Sequence, residues 1–239
     1  MIDRRQGRGP VGRTMLPAGR TRADARKAMS VPYARRLVIM VKQPRLGSVK
    51  TRLASECGAV AATQFYRATS AAVLARLSAT SRWQTWLAVM PDGATGSRCW
   101  PPQLARRPQG TGDLGRRMQR IMAWRGAGPI VIVGSDIPAI SRSHIAAAFR
   151  VLGRNDAVFG PAEDGGYWLV GLRRSPKVAS AFGDVRWSST DALADTLANL
   201  TDGRVGFVDV LQDVDHAAAL DRMRAWCGRR VLPWQVARR

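Results

Sequence analysis

Hydrophobic residues in this chain fall into two patterns, short runs that are apolar throughout and longer runs that are apolar on one side. Ile130-Val131-Ile132-Val133 contains no polar member, as expected of a strand covered on both faces in a parallel sheet. Arg36 to Val41 (RLVIMV) and Ala157 to Phe159 read as strands too, and Trp83 to Met90 and Arg204 to Val210 add two more. Helical patterns lie between them. Gly58 to Thr80 places Val60, Phe65, Ala68, Ala72, Leu74 and Leu77 near helical spacing, which predicts core positions. Further helices are expected from the glycine-rich turn at 109–115 to about Trp124, in the run before Asn155, over Ser188 to Leu200 with Ser189 or Thr190 near the cap, and over Ala217 to Cys227. Pro91-Asp92-Gly93 is a turn and Trp100-Pro101-Pro102 a loop. Strands alternating with helices predict an α/β domain.

The strand ends carry the polar chemistry. Gly134-Ser135-Asp136 closes the 130–133 strand, and Pro138 stops it from continuing in a central ladder. Ligands of open α/β sheets bind beyond the carboxyl ends of strands, so Asp136 is a candidate catalytic and metal-binding residue. The strand at Ala157 leads to Glu163-Asp164-Gly165-Gly166-Tyr167, with Asp164 as a second catalytic candidate. Two like charges about 4 Å apart repel by roughly 4 kcal/mol at an effective dielectric near 20. A hard cation that takes carboxylate and phosphate oxygens would remove that penalty. After the first strand the chain turns cationic, Lys42-Gln43-Pro44-Arg45-Leu46-Gly47-Ser48-Val49-Lys50-Thr51-Arg52. Lys42, Lys50 and Arg52 suit charge-assisted bonds to phosphates, worth about 1.5–3 kcal/mol each. Lys50-Thr51 resembles the tail of a Walker A loop, but Pro44 and Val49 stand where its glycines belong, so that motif is excluded. Gln109-Gly110-Thr111-Gly112-Asp113 offers backbone N–H groups to a ribose, base or phosphate, although Asp113 also suits a helix N-cap. Late in the chain, Asp213 and Asp215 share one side of an extended run, where either could complete a metal site with Asp136 or cap the next helix.

Composition narrows the classes. A chain of 239 residues can bury roughly 70–75% of its unfolded surface, enough for one large domain, expected over 35–228. Residues 1–34, rich in Arg, Gly and Pro, read as a disordered basic extension, and 229–239 as a basic tail. Met15 and Met29 are alternative starts. The net charge of +21 raises nucleic acid as a partner. Its distribution argues against that: ten basic residues fall within 1–36, the rest is spread thinly, and Arg outnumbers Lys 34 to 4. No apolar run approaches the roughly 20 residues of a membrane span. Three widely spaced cysteines and two histidines form no metal pattern, which fits a cytoplasmic location.

Taken in order, VKQPRLGSVKTRL, QGTGDLGRRM, IVGSDIPAI, FGPAEDGGYWLVGL and DVDH resemble a bacterial family, the radical-SAM/selenodomain-associated transferases, over about Arg36 to Trp226. The resemblance implies a three-layer, Rossmann-like glycosyltransferase-A fold with a mostly parallel, mixed sheet, of the nucleotide-diphospho-sugar transferase superfamily. It implies that Gly47, Lys50 and Arg52 hold nucleotide phosphates and that Asp164, Gly165, Gly166 and Tyr167 face the acceptor or sugar; Lys42, Pro44, Gln109, Gly112 and Asp113 complete the expected nucleotide-binding set. A Mg²⁺ (or Mn²⁺) ion would be held by Asp136 and Asp215. The sequence departs from the family at Arg116, His216 and Ala219, where an acid, a Thr and an acid are usual. The expected activity is a transferase moving a group from a nucleotide sugar to a small acceptor. Nucleotidyl transfer from a nucleoside triphosphate and a non-catalytic nucleotide-binding protein are the alternatives.

Overall fold

The computed structural model describes residues 33–175 and 178–211. In chain order the elements are β1 (Arg36–Lys42), α1 (Thr51–Cys57), α2 (Ala59–Ser78), β2 (Gln84–Met90), β3 (Ala105–Pro108), α3 (Leu114–Met122), β4 (Ile130–Gly134), α4 (Arg142–Val151), β5 (Ala157–Pro161), β6 (Tyr167–Leu172), α5 (Ala192–Ala198) and β7 (Val205–Phe207). The strands form one sheet in the order β3-β2-β1-β4-β6-β5-β7. β1 pairs in parallel with β2 and β4, β2 with β3, and β5 with β7, while β6 runs antiparallel between β4 and β5.

Both faces of the sheet are covered, which is why its central strands need no polar members. Leu37, Ile39 and Val41 pack with Val73, Leu74 and Leu77 of α2 and Ile145, Ala148 and Phe149 of α4. The alternate residue Val38 points the other way, into a cluster with Met118, Ile121 and Met122 of α3 and Leu193 and Leu197 of α5. The result is three layers around a mixed, mostly parallel sheet.

Two features of this topology shape one rim of the sheet. The chain builds outward from β1 to β2 and β3, then returns to place β4 on the other side of β1, so the strand order reverses between β1 and β4. Such a switch point leaves a crevice at the carboxyl ends of the two strands. Because β6 is antiparallel to β4, its first residues lie at the same rim as the ends of β1 and β4.

Several expectations change. Val60 is 58% exposed, and the buried face of α2 instead includes Thr63, Tyr66, Thr69 and Ser70. Neither α1 nor β3 is marked by the hydrophobic pattern, and the apolar run Tyr167–Leu172 (YWLVGL) forms a further strand, β6, that is not among those expected. The strand expected over 204–210 is three residues long, and the helix expected over 188–200 shortens to α5, with the Ser189 hydroxyl accepting the N–H of its N-cap residue Asp191. The basic extension, except Tyr33 and Ala34, lies outside the described residues. So do Asp213, Asp215, His216, the helix expected at 217–227 and the basic tail. Among the described residues no helix is long and apolar enough to cross a membrane.

Candidate functional site

β1 and β4 deliver one residue each to the crevice between them. After β1 a loop runs to Lys50, which begins α1 in the left-handed region (φ 48°, ψ 50°). After β4 comes Asp136, and Lys50 Nζ lies 2.7 Å from Asp136 Oδ2. The lysine side chain is only 4% exposed and the aspartate 31%. A charge so nearly buried needs a partner, because desolvating an unpaired ammonium costs several kcal/mol. Two groups far apart in sequence thus form one ion pair at the switch point.

Behind the pair stands a hydroxyl network. Tyr66 Oη accepts the N–H of Lys42 at 2.8 Å and lies 3.1 Å from Ser135 Oγ, which also accepts from Ser70 Oγ at 3.2 Å. Burial pushes the Tyr66 hydroxyl above its ordinary value, and the Asp136 charge adds to the rise. It therefore stays protonated and ties the ends of β1 and β4 to α2. Sequence reasoning missed these residues. The available signal was Tyr66 and Ser70, one turn apart on the face that carries Phe65, Val73 and Leu77.

The cleft has two lobes that share Lys50, Asp136 and Tyr167. The first, about 430 Å³, is lined by Met40, Lys42, Met90, Gln109, Arg117 and Met118 among others. The second, about 740 Å³, is lined by Arg52, Asp164, Gly166, Trp187, Ser188 and Thr190 among others. Arg186 holds the chain ahead of α5 that lines this lobe: its Nε and Nη2 donate to Asp195 at 2.9 and 2.7 Å, and Nη1 reaches Asp191 at 2.7 Å. The hydrogen bonds from Arg186 draw the Asp195 carboxyl down to about 2.

The other expected residues divide by what already occupies their polar atoms. Lys42 lines the first lobe and Arg52 the second, whereas Pro44 and Gly47 sit in an exposed turn closed by Ser48 onto the Arg45 carbonyl and line neither. Gln109 is buried, and its Nε2 donates to the carbonyls of Val41 (3.1 Å) and Ala88 (2.8 Å). Gly112 and Asp113 line neither lobe, and Asp113 caps α3 by accepting the Arg116 N–H at 2.7 Å. Asp113→Ala is expected to cost about 1 kcal/mol in a urea melt, the usual worth of such a cap. Asp164 and Gly166 face the second lobe, and the Gly166 N–H donates to Asp164 Oδ1 at 3.0 Å. Gly165 is instead part of the scaffold: its carbonyl accepts the Leu193 N–H, and its N–H donates to the Ala162 carbonyl. The Tyr167 hydroxyl is 3.4 Å from Thr196 Oγ1, which itself donates to the Ala192 carbonyl, so Tyr167 is the donor. Burial raises its pKa, and Tyr167 lines both lobes.

Among the described residues no group of three or more His, Cys, Asp or Glu is placed to hold a metal. Mg²⁺ does not require one, since it binds through one or two carboxylates with the remaining positions taken by water and substrate phosphate. Asp136, partly exposed and with Lys50 on Oδ2, fits a cation that arrives with its substrate.

Comparison with known proteins adds to this geometry. A profile of the bacterial family DUF2064, described as an uncharacterized protein conserved in bacteria, matches residues 73–189. No curated protein matches the sequence. A solved structure from Desulfovibrio desulfuricans G20, described as a candidate nucleotide-diphospho-sugar transferase, is similar with a TM-score of 0.75 and 27% identity over 85% of this chain and 90% of its own. The 4-diphosphocytidyl-2C-methyl-D-erythritol synthase of Anaerococcus prevotii DSM 20548 has a TM-score of 0.55 at 9% identity, over 82% of this chain and 99% of its own. A homologue of Mycobacterium tuberculosis Rv0371c from Mycobacterium sp. strain JC1 has a TM-score of 0.52 at 17% identity, over 82% and 97%. At such identities the last two show a shared fold alone. The architecture is accordingly that of the nucleotidyltransferase and glycosyltransferase-A folds, as the motifs implied.

Proposed function

We propose that this protein is a transferase that binds a nucleotide-activated donor, in the first instance a nucleotide sugar, and passes the activated group to a small acceptor. The observation that carries the reading is the Lys50–Asp136 pair at the switch point, set between two lobes of unequal character. The 27% identity to the Desulfovibrio protein across most of both chains supports it. The five ordered motifs favour the radical-SAM/selenodomain-associated branch of the superfamily, and Cys57 and Cys99, free among the described residues, suit a cytoplasmic location.

The chemistry follows from the placement. With the donor's diphosphate at the switch point, the Lys50 ammonium offsets the negative charge that grows on the leaving oxygen as the sugar–phosphate bond breaks. Its near burial makes that charge effective, because little water screens it. Asp164, in the second lobe, takes the proton from the acceptor hydroxyl as its oxygen bonds to the sugar carbon. Gly166 and the Tyr167 ring position that acceptor. A divalent cation, when bound, would add charge neutralisation on the diphosphate, with Asp136 and Asp215 as its protein ligands. Nucleotidyl transfer uses the same donor lobe with an acceptor phosphate attacking the α-phosphorus, and the late Asp-Val-Asp at 213–215 is the feature that favours it.

Calorimetric titration with GTP, CTP, UTP and UDP-glucose, each with and without Mg²⁺, tests the reading. Micromolar, Mg²⁺-dependent binding of at least one is expected. Binding of none, or metal-independent binding of every polyanion including DNA with a steep salt slope, overturns it. Binding without turnover of any acceptor leaves the non-catalytic alternative.

A further inference from the structure

Arg117 lines the first lobe from α3, half-buried and away from the switch-point pair. Three acceptors hold its guanidinium. Nε donates to the Asp113 carbonyl at 3.1 Å, and Nη1 to Gln109 Oε1 at 3.1 Å and to Met90 Sδ at 3.0 Å. Gln109 cannot turn away, because its own Nε2 is fixed to the Val41 and Ala88 carbonyls at the ends of two strands. A buried amide therefore sets the plane of the guanidinium. Among the described residues Arg117 Nη2 makes no hydrogen bond to the protein.

The surroundings indicate what that edge meets. Lys50 and Asp136 follow β1 and β4, whereas the anchors of Arg117, Met90 and Gln109, lie at the ends of β2 and β3. Strands lie about 4.8 Å apart, so β4 to β2 spans roughly 10 Å. A nucleotide with its phosphates at the Lys50–Asp136 pair reaches across that span with its base, into walls formed by Met40, Met90, Met118 and Ile132. Methionine side chains are polarizable and adapt to a flat ring. An arginine edge has donors only, and Gln109 Oε1 is already turned to Arg117 Nη1.

We propose that Arg117, held by Gln109, reads the base of the donor nucleotide and selects one that presents acceptors, guanine through O6 and N7 or uracil through O4, over adenine and cytosine. The inference rests on the nucleotide reading above. Adenine offers N7 alone beside its exocyclic amino donor, and cytosine turns its amino donor to the same edge, so neither matches both donors of the guanidinium.

Titration of the full chain with GDP, UDP, ADP and CDP in the presence of Mg²⁺ tests it, with circular dichroism to confirm folding. The wild type is expected to bind GDP or UDP at least about tenfold more tightly than ADP and CDP. Arg117→Ala and Arg117→Lys should both lose that preference while binding ADP and CDP within about twofold of wild type. Lysine keeps the charge without the fixed fork. A uniform loss for all four ligands in Arg117→Ala that Arg117→Lys restores would assign Arg117 to phosphate and overturn the proposal. So would a wild type that prefers ADP or CDP, or a variant that still discriminates; in these cases the nucleotide reading stands. A wild type that binds none of the four removes both.

Discussion

Asp136→Asn is expected to weaken Mg²⁺-dependent nucleotide binding at least a hundredfold and to destabilise the fold by about 1–3 kcal/mol. Sequence position alone assigns Asp136 to ligand binding and predicts a substitution with little effect on melting. The ion pair changes that. Asparagine keeps the shape but removes the charge facing an ammonium that is 4% exposed. Removing one partner of a fully buried pair costs about 3–5 kcal/mol, and the 31% exposure of Asp136 lowers that figure. For a domain of this size each kcal/mol lowers Tm by roughly 2–4 °C. Calorimetric titration and urea denaturation check the two effects separately. Normal Mg²⁺-dependent binding by the variant would remove Asp136 from the site, and an unchanged midpoint would show that Lys50 does not rely on it.

Gly165→Ala is expected to cost about 2–5 kcal/mol, read from the urea midpoint. Gly165 has φ +83°, and a Cβ there would lie 2.1 Å from the Thr190 carbonyl oxygen. The left-handed conformation alone costs a side chain about 1–2 kcal/mol, and forced overpacking adds about 1–3. The neighbouring glycine differs, since the atoms nearest a Cβ on Gly166 belong to the Asp164 side chain, with Oδ1 at 3.2 Å. Relief of the clash must separate the Asp164–Gly166 turn from Thr190, so a variant that folds is expected to keep donor binding and lose transfer to the acceptor. A midpoint within about 0.5 kcal/mol of wild type, the usual range of a surface substitution, would show that the two segments part without resistance.

What could be read from the sequence depends on how local each signal is. The apolar run at 130–133 needs no partner to be recognised, and the end of a parallel strand is where ligands gather, so Asp136 and the loop to Lys50 stood out. Their contact did not, because it depends on β1 and β4 being neighbours. The apolar run Tyr167 to Leu172 carries the same signal as 130–133, but that β6 runs antiparallel between β4 and β5 follows only from its pairing. Without it the Asp164 turn could not be placed at the rim of the sheet. In α2 the helical period was blurred by Tyr66, Thr69 and Ser70, polar residues buried because Ser135 and the backbone of Lys42 receive two of them. Gln109 shows a role that no local signal carries, although it does line the first lobe. Its place in a glycine-rich turn suggested a nucleotide contact, whereas its amide closes the gap between two strand ends and steadies an arginine.

Lys50 keeps a backbone conformation that glycine would adopt freely and that costs a lysine roughly 1–2 kcal/mol. Nothing in the turning of the chain requires a long cationic side chain there. Glycine there would relieve that strain but leave Asp136 without its cation, so directed evolution toward heat tolerance alone would gain at this position only by changing both residues together.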